Sequence, residues 1–243
     1  VSKKMKLLTL VVPCYNEVNS LPKLITKIKE VDKSINFIIL DNGSSDGSTD
    51  YLKKIESQLQ QNISIFFIDK NDGYGFGVFE GLKSISNSKF IGWIHGDLQF
   101  DFIGLDRLLE YLSSDKGRST AIFYKGIRKG RKPLDRLFSY AMGASASVIL
   151  GMKFREINAQ PTVFSNTLLT FAKEPPKDFN FDTYIYWLAL KNNFKVKRDF
   201  YNFPPREYGE SKWDFGLSSK MKFSISLLKY FFKLKKTNKS YSR

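Results

Sequence analysis

Three short stretches rich in small and acidic residues carry the chemistry that this chain could perform. HGDLQF (95–100) contains Asp97, placed to bind a divalent cation that bridges two phosphates. A hard cation such as Mg2+ or Mn2+ prefers oxygen ligands and often keeps several waters. Such an ion neutralises a departing diphosphate. Gln99 offers a carbonyl oxygen and His95 an imidazole nitrogen, although a lone histidine serves equally well as a packed core ring. His95 is the only histidine and Cys14 the only cysteine, so a histidine dyad and a His/Cys zinc centre are excluded. In DNGSSDGST (41–49), Asp41 can accept hydrogen bonds from a nucleoside; the alternative is a capped turn in which Asp46 or Ser48 starts a helix. NDGYGFGVFEG (71–81) places glycines at 73, 75, 77 and 81. Glycines before a helix expose backbone N–H groups to an anion at the positive helix end, or they allow a close-packed turn. The spacing does not match the dinucleotide-binding fingerprint, and the stretch follows a third strand, not a first.

The elements that must hold these stretches alternate. Short apolar runs at 7–13, 35–40, 63–68 and 90–95 read as buried strands. Helical patterns at 20–30, 49–60, 76–86 and 103–114 separate them, the first behind Ser20 with Pro22 in its first turn. Such alternation implies a parallel, doubly wound α/β sheet, whose ligands bind beyond the carboxyl ends of the strands. Asp41, Asn71 to Gly77 and Asp97 all fall at such ends. The second half is less regular: a strand at 120–124, a basic loop at 125–133, a helix at 134–150, a short strand at 161–164, helices at 165–172 and 181–192, an extended segment at 195–203, a loop carrying Arg206 to Lys212, and a final helix at 216–234 before a polar tail that is expected to be disordered.

Charge divides the chain. Residues 1–120 hold 15 basic and 15 acidic residues, whereas 121–243 hold 24 basic and 9 acidic ones, so the second half carries the entire net charge of +15. Phosphate, acidic lipid or nucleic acid would suit that half. The chain has no basic recognition helix, zinc knuckle or RNP-like strand motif, so nucleic acid is not an expected partner. The single cysteine excludes an internal disulfide and fits a reducing compartment. No stretch has a signal-peptide layout, and no apolar run is long enough for a membrane-spanning helix.

Taken together and in order, the motifs resemble family 2 glycosyltransferases of the GT-A fold, in particular the polyprenyl-phosphate sugar transferases. VVPCYNE (11–17) is similar to the family's opening strand, which implies that Pro13, Tyr15 and Glu17 contact the nucleobase. DNGSSDGST resembles DDGSxDGT, with Asn42 in place of the second Asp. NDGYGFGVFEG resembles NxGxGxAxxxG, with Gly77 at the Ala position; Asn71 and Gly75 then belong to the donor site with Asp41 and Asp97. HGDLQ resembles DADLQ, with His95 in place of the first Asp. KGIRKGRKPLDRLFS (125–139) resembles GxR…R…S, implying that Arg128, Arg131 and Arg136 meet phosphates of donor and acceptor, with Ser139 at the acceptor side. Glu156 falls at the family's acidic position. REYGESK (206–212) resembles RxxGxSK, in which Arg206 and Lys212 hold the diphosphate.

The resemblance implies residues 1–118 as a donor half, 119–215 as an acceptor half of the same domain, and 216–243 as an amphipathic helix with a basic tail. The implied donor is a UDP- or GDP-sugar with Mg2+ or Mn2+, and the implied acceptor a polyprenyl phosphate or a glycan. Direct displacement with inversion needs no strong base when the acceptor phosphate is already ionised. A sugar hydroxyl would need a carboxylate, for which Glu156, Asp182 and Asp178 are available. In the last helix, Lys222, Ser226, Lys229 and Lys233 form one polar stripe, with Phe223, Ile225, Leu227, Leu228, Tyr230, Phe231, Phe232 and Leu234 around the rest. That pattern suits either an anionic membrane interface on the cytoplasmic side or docking on the core. A third expectation, a weakened nucleotide-sugar binder, follows from His95.

Overall fold

The computed structural model describes residues 5–117, 121–203 and 217–240. Seven strands form one sheet: β1 (Lys6–Cys14), β2 (Ile35–Asn42), β3 (Ile63–Ile68), β4 (Ser88–Trp93), β5 (Ile122–Lys129), β6 (Thr162–Ser165) and β7 (Lys195–Asn202). Their order is β3-β2-β1-β4-β6-β5-β7. β6 runs antiparallel to both neighbours, while the other adjacent pairs are parallel. The mostly parallel α/β architecture therefore stands as expected, and one sheet spans both halves of the chain.

Helices cover both faces, which is why the central strands are continuous apolar runs instead of alternating ones. On one face lie α1 (Leu21–Lys29), α2 (Ser48–Ile55) and α4 (Leu105–Ser113). α1 buries Leu21, Leu24, Ile25 and Ile28, the i, i+3, i+4, i+7 stripe of a helix docked by one side. On the other face lie α3 (Tyr74–Lys83), α5 (Pro133–Leu150), α6 (Asn180–Lys191) and α7 (Leu217–Ser240).

Three expectations change. Residues 125–129 are strand, paired with Arg198 to Asn202 of β7, because Lys125 is buried inside the sheet and not in a solvated loop. Residues 166–171 form a 3-10 turn, not an α-helix. Residues 235–240 continue α7 instead of forming a disordered tail; a helix already anchored by packing extends at little cost. The 206–212 loop lies outside the described residues.

α7 docks. Leu227, Phe231 and Leu234 are 2%, 0% and 3% exposed and join the core cluster that includes Ala146 and Leu150 of α5. The core reading of this helix holds for that face, while Met221, Ile225 and Phe232 remain exposed. Phe231→Ala is expected to destabilise the fold by about 3–5 kcal/mol, measured by chemical denaturation; a loss below about 1 kcal/mol would show that α7 is not part of the core.

Candidate active site

The carboxyl ends of β1 and β2 are laced together by side chains. Asn16, at φ 56°, accepts from the Ser45 N–H through Oδ1 at 2.8 Å, and its own N–H donates to Ser44 Oγ at 3.0 Å. The Glu17 N–H donates to Ser48 Oγ at 3.0 Å and the Val18 N–H to Asp46 at 3.1 Å. Asp41 is 1% exposed. Its Oδ1 accepts from the Ser44 N–H at 3.2 Å and its Oδ2 from the Thr49 hydroxyl. Asp46 accepts from the Ser48 N–H and hydroxyl at 3.0 and 2.6 Å, so part of the capped-turn reading is realised. Pro13, Tyr15, Glu17 and Asp41 thus meet at one end of the sheet, with the Tyr15 ring exposed at its rim.

The glycine turn is built for close packing. Gly73 has φ 115°, and a Cβ there would lie 2.3 Å from the Lys177 carbonyl oxygen; one at Gly75 would lie 2.4 Å from that of Pro176. The Phe76 N–H donates to the Lys177 carbonyl at 3.1 Å. Backbone carbonyls thus fill the space that the missing side chain of Gly75 leaves, which is the close-packed turn of the two readings. Asn71 accepts from the Gly73 N–H at 2.8 Å and shapes the turn. Asn42 Nδ2 donates to the Gly73 carbonyl at 3.2 Å, and its Oδ1 would lie 2.5 Å from a Cβ at Gly77. Asn42 and Gly77, the two departures from the resembled pattern in this region, therefore occupy one space.

After β4 the chain turns sharply. Leu98 sits at φ 60° with its side chain 1% exposed. A left-handed conformation costs a branched residue roughly 1–2 kcal/mol, here offset by burial beside Phe100. The turn presents Asp97, whose Oδ1 accepts from the Gln99 N–H at 3.2 Å. His95 is half-buried, its ring 5.8 Å from that of Tyr74, which stacks on Phe179 at 4.5 Å. His95 therefore contributes to an aromatic column beside Asp97. Among the described residues, no three His, Cys, Asp or Glu side chains group closely enough to hold a metal. One carboxylate with a neighbouring amide suits a cation that takes its remaining ligands from substrate phosphates and water, so the donor set fits a metal shared with a diphosphate and not one caged by protein.

The second half supplies the positive charge. Arg128 on β5 donates from Nε to Glu156 Oε2 at 3.0 Å and from Nη2 to Ser139 Oγ at 3.2 Å. Arg131 Nη1 donates to the same Ser139 Oγ at 2.6 Å. Two guanidiniums thus meet at one hydroxyl, and Glu156 pairs with that of Arg128. Burial, and then the charge of Arg128, lowers the Arg131 pKa to about 10, while Glu156 and Asp135 oppose the shift. Arg128, Arg131, Ser139 and Glu156 come together in one hydrogen-bonded cluster. Arg136 does not join them: it is exposed on α5, one turn before Ser139. Arg206 and Lys212 lie outside the described residues.

Sequence reasoning missed Lys125. It is 0% exposed, and its ammonium donates to the Ala159 carbonyl at 3.0 Å and to Thr162 Oγ1 at 2.7 Å. Burial lowers its pKa to about 7, partly opposed by Asp182. Asp182, one of the three carboxylates considered as a base, is 2% exposed on α6, and burial raises its pKa. The available signal was a lysine inside the otherwise apolar run AIFYKGI (121–127). Of the other two carboxylates, Glu156 is paired with Arg128, and Asp178 accepts from the Asn180 N–H and side-chain amide at 3.0 and 2.8 Å.

This arrangement of fold and motifs has a match among known families. Residues 9–172 match the model of the family described as glycosyl transferase family 2. The chain belongs to that family. Curated relatives include an undecaprenyl-phosphate 4-deoxy-4-formamido-L-arabinose transferase of Salmonella choleraesuis, 29% identical over 99 residues that make up 39% of this chain and 30% of the relative. The Yersinia enterocolitica protein of the same description is 30% identical over 102 residues, covering 40% and 31%. The matched stretch is thus about a third of those relatives' length. Among solved structures, glucosyl-3-phosphoglycerate synthase from Mycobacterium tuberculosis, in complex with phosphoglyceric acid, has a TM-score of 0.67 at 14% identity, covering 94% of this chain and 80% of that one. A mannosyltransferase from Pyrobaculum calidifontis, in complex with GDP-Man and Mn2+, has a TM-score of 0.61 at 15% identity, covering 85% and 59%. These two structures bear out the GT-A fold.

Lys125 yields a pH prediction. Its folded pKa lies below the ordinary lysine value of 10.5, so the folded state loses the proton first and stability rises as pH climbs from about 7 towards about 10.5. The melting temperature of the wild type should therefore rise relative to that of Lys125→Met between about pH 7 and pH 9. Parallel calorimetric curves would show that this ammonium is not desolvated.

Proposed function

We propose that this family 2 protein transfers a sugar from a nucleotide diphosphate sugar to a polyprenyl phosphate at a membrane surface. The observation that carries the reading is the meeting of Arg128 and Arg131 at Ser139 Oγ, where Glu156 pairs with Arg128. Guanidiniums donate paired hydrogen bonds to phosphate oxygens, so an ionised phosphate completes the cluster. In this reading residues 1–118 hold the donor and 119–215 the acceptor, and 216–243 form the amphipathic helix with its basic tail. Pro13, Tyr15, Glu17 and Asp41 receive the nucleoside, with Asn71 and Gly75 shaping the wall beside it.

Asp97 and Gln99 would hold Mg2+ or Mn2+, which when bound neutralises the leaving diphosphate. His95 packs beside them. Arg206 and Lys212 complete the diphosphate contacts by resemblance. Arg128 and Arg131 orient the acceptor phosphate, whose oxygen attacks the anomeric carbon as the bond to the diphosphate breaks, inverting the configuration. The acceptor oxygen is already charged, so no side chain has to remove a proton. The support from relatives is that two of them are described as undecaprenyl-phosphate transferases.

A second reading, transfer to a glycan hydroxyl, draws support from Asp182, because burial raises its pKa in the direction that a general base needs. Asp182→Asn separates the two: it leaves transfer to a lipid phosphate nearly intact and stops transfer to a hydroxyl.

Asp97→Ala is expected to abolish transfer, about 100-fold or more in kcat, with an unchanged circular dichroism spectrum. Arg128→Ala should raise the KM for the acceptor phosphate about tenfold or more, the loss of a charge-assisted pair. A weakened binder would instead gain transfer strongly in His95→Asp. Thermal shift against UDP-, GDP- and dTDP-sugars with either metal identifies the donor, and no shift with any of them would remove the donor-site reading.

A further inference from the structure

The outer face of α5 is apolar along its length and is not covered by the described residues. Leu134, Leu137, Tyr140 and Val148 are 53%, 62%, 76% and 82% exposed. Ala141 and Ala144 are exposed between them. Residues 134, 137, 141, 144 and 148 repeat at three and four, which places them on one side of the helix, with Tyr140 beside Leu137 and Ala144. The opposite side is core: Gly143, Ala146 and Leu150 are buried. A water-facing helix would carry polar residues on its outer side. This one carries them only around its start, where Lys129, Lys132 and Arg136 are exposed.

We infer that the exposed face of α5, and not chiefly the C-terminal helix, is the surface by which this protein lies on an anionic bilayer. The inference rests on the proposed lipid-phosphate acceptor and deepens it. Three observations select a bilayer as the occupant. First, the stripe and the basic residues are arranged as in an interfacial helix, with apolar side chains at acyl-chain depth and cations at headgroup level. Second, Ser139, which gathers Arg128 and Arg131, lies on this same helix between Leu137 and Tyr140. A lipid phosphate stays at headgroup depth, and docking through α5 brings those guanidiniums to that depth without pulling the lipid out of its leaflet. Third, α7, which packs beside α5, has its Leu227, Phe231 and Leu234 face in the core, so its strongest apolar side is already used. Its exposed Lys229, Lys233, Lys235 and Lys236 add the attraction to anionic headgroups.

The test is flotation of the full chain with vesicles of phosphatidylcholine alone and of phosphatidylcholine with phosphatidylglycerol, with no sugar donor present. Wild type is expected to float with the anionic vesicles and much less with the neutral ones. The triple variant Leu137→Glu, Tyr140→Glu, Val148→Glu is expected to need about tenfold more lipid for half binding, with an unchanged melting temperature because the three side chains are exposed. Phe232→Glu on α7 should shift binding far less. Equal flotation of the triple variant and wild type would overturn the inference, as would a wild-type dimer, by light scattering, that the triple variant turns into a monomer. A short, water-soluble prenyl phosphate isolates the underlying reading: the triple variant should glycosylate it at the wild-type rate, while failure of both proteins to do so would sink the acceptor assignment without touching the vesicle result.

Discussion

A four-residue strand joins the two halves of this molecule. β6 is inserted antiparallel between β4, which ends at the Asp97 turn, and β5, which leads to Arg128. The separation between the carboxylate side and the guanidinium side of the site is therefore fixed by a short ladder. Lys125 secures that ladder from within, since its ammonium holds both the Ala159 carbonyl and the first side chain of β6, Thr162. A buried ammonium is costly unless its donors are satisfied, and the fold meets that cost at the ladder that joins the two halves of the sheet. The lowered pKa of Lys125 and the raised pKa of Asp182 reflect the same desolvation.

Much of the donor half was legible because its signals are local. Apolar runs of six or seven residues punctuated by Gly, Asn and Asp give strand ends directly, and Asp41, Asn71 and Asp97 fall there for that reason. The Arg128, Arg131, Ser139 and Glu156 cluster was legible only through resemblance, since no periodicity connects residues that far apart. Three features were hidden. The strand over 125–129 reads as a basic loop because its burial depends on β7, some seventy residues later. The glycine turn reads equally as an anion site or a close-packed turn until segment 176–178 is seen lying on it. The outer face of α5 blends into an apolar helix, because sequence alone does not say which side of such a helix meets the sheet.

The site also shows how strain and packing are combined. Leu98 holds a left-handed backbone with its side chain buried, and Gly96 lies so close to the buried Cys14 that a Cβ would come within 2.9 Å of Sγ. Such conformations persist where the surroundings over-determine them. Here they aim Asp97 away from the core, while His95 falls into the stack with Tyr74 and Phe179.

The shared space of Asn42 and Gly77 has a consequence for the turn that opens α3. A methyl at 77 would stand 2.5 Å from the Asn42 amide oxygen as it is now placed, so a side chain there has to be met by a turn of that amide. Because the same amide donates to the Gly73 carbonyl, a change at 77 is passed through Asn42 to the start of the glycine turn.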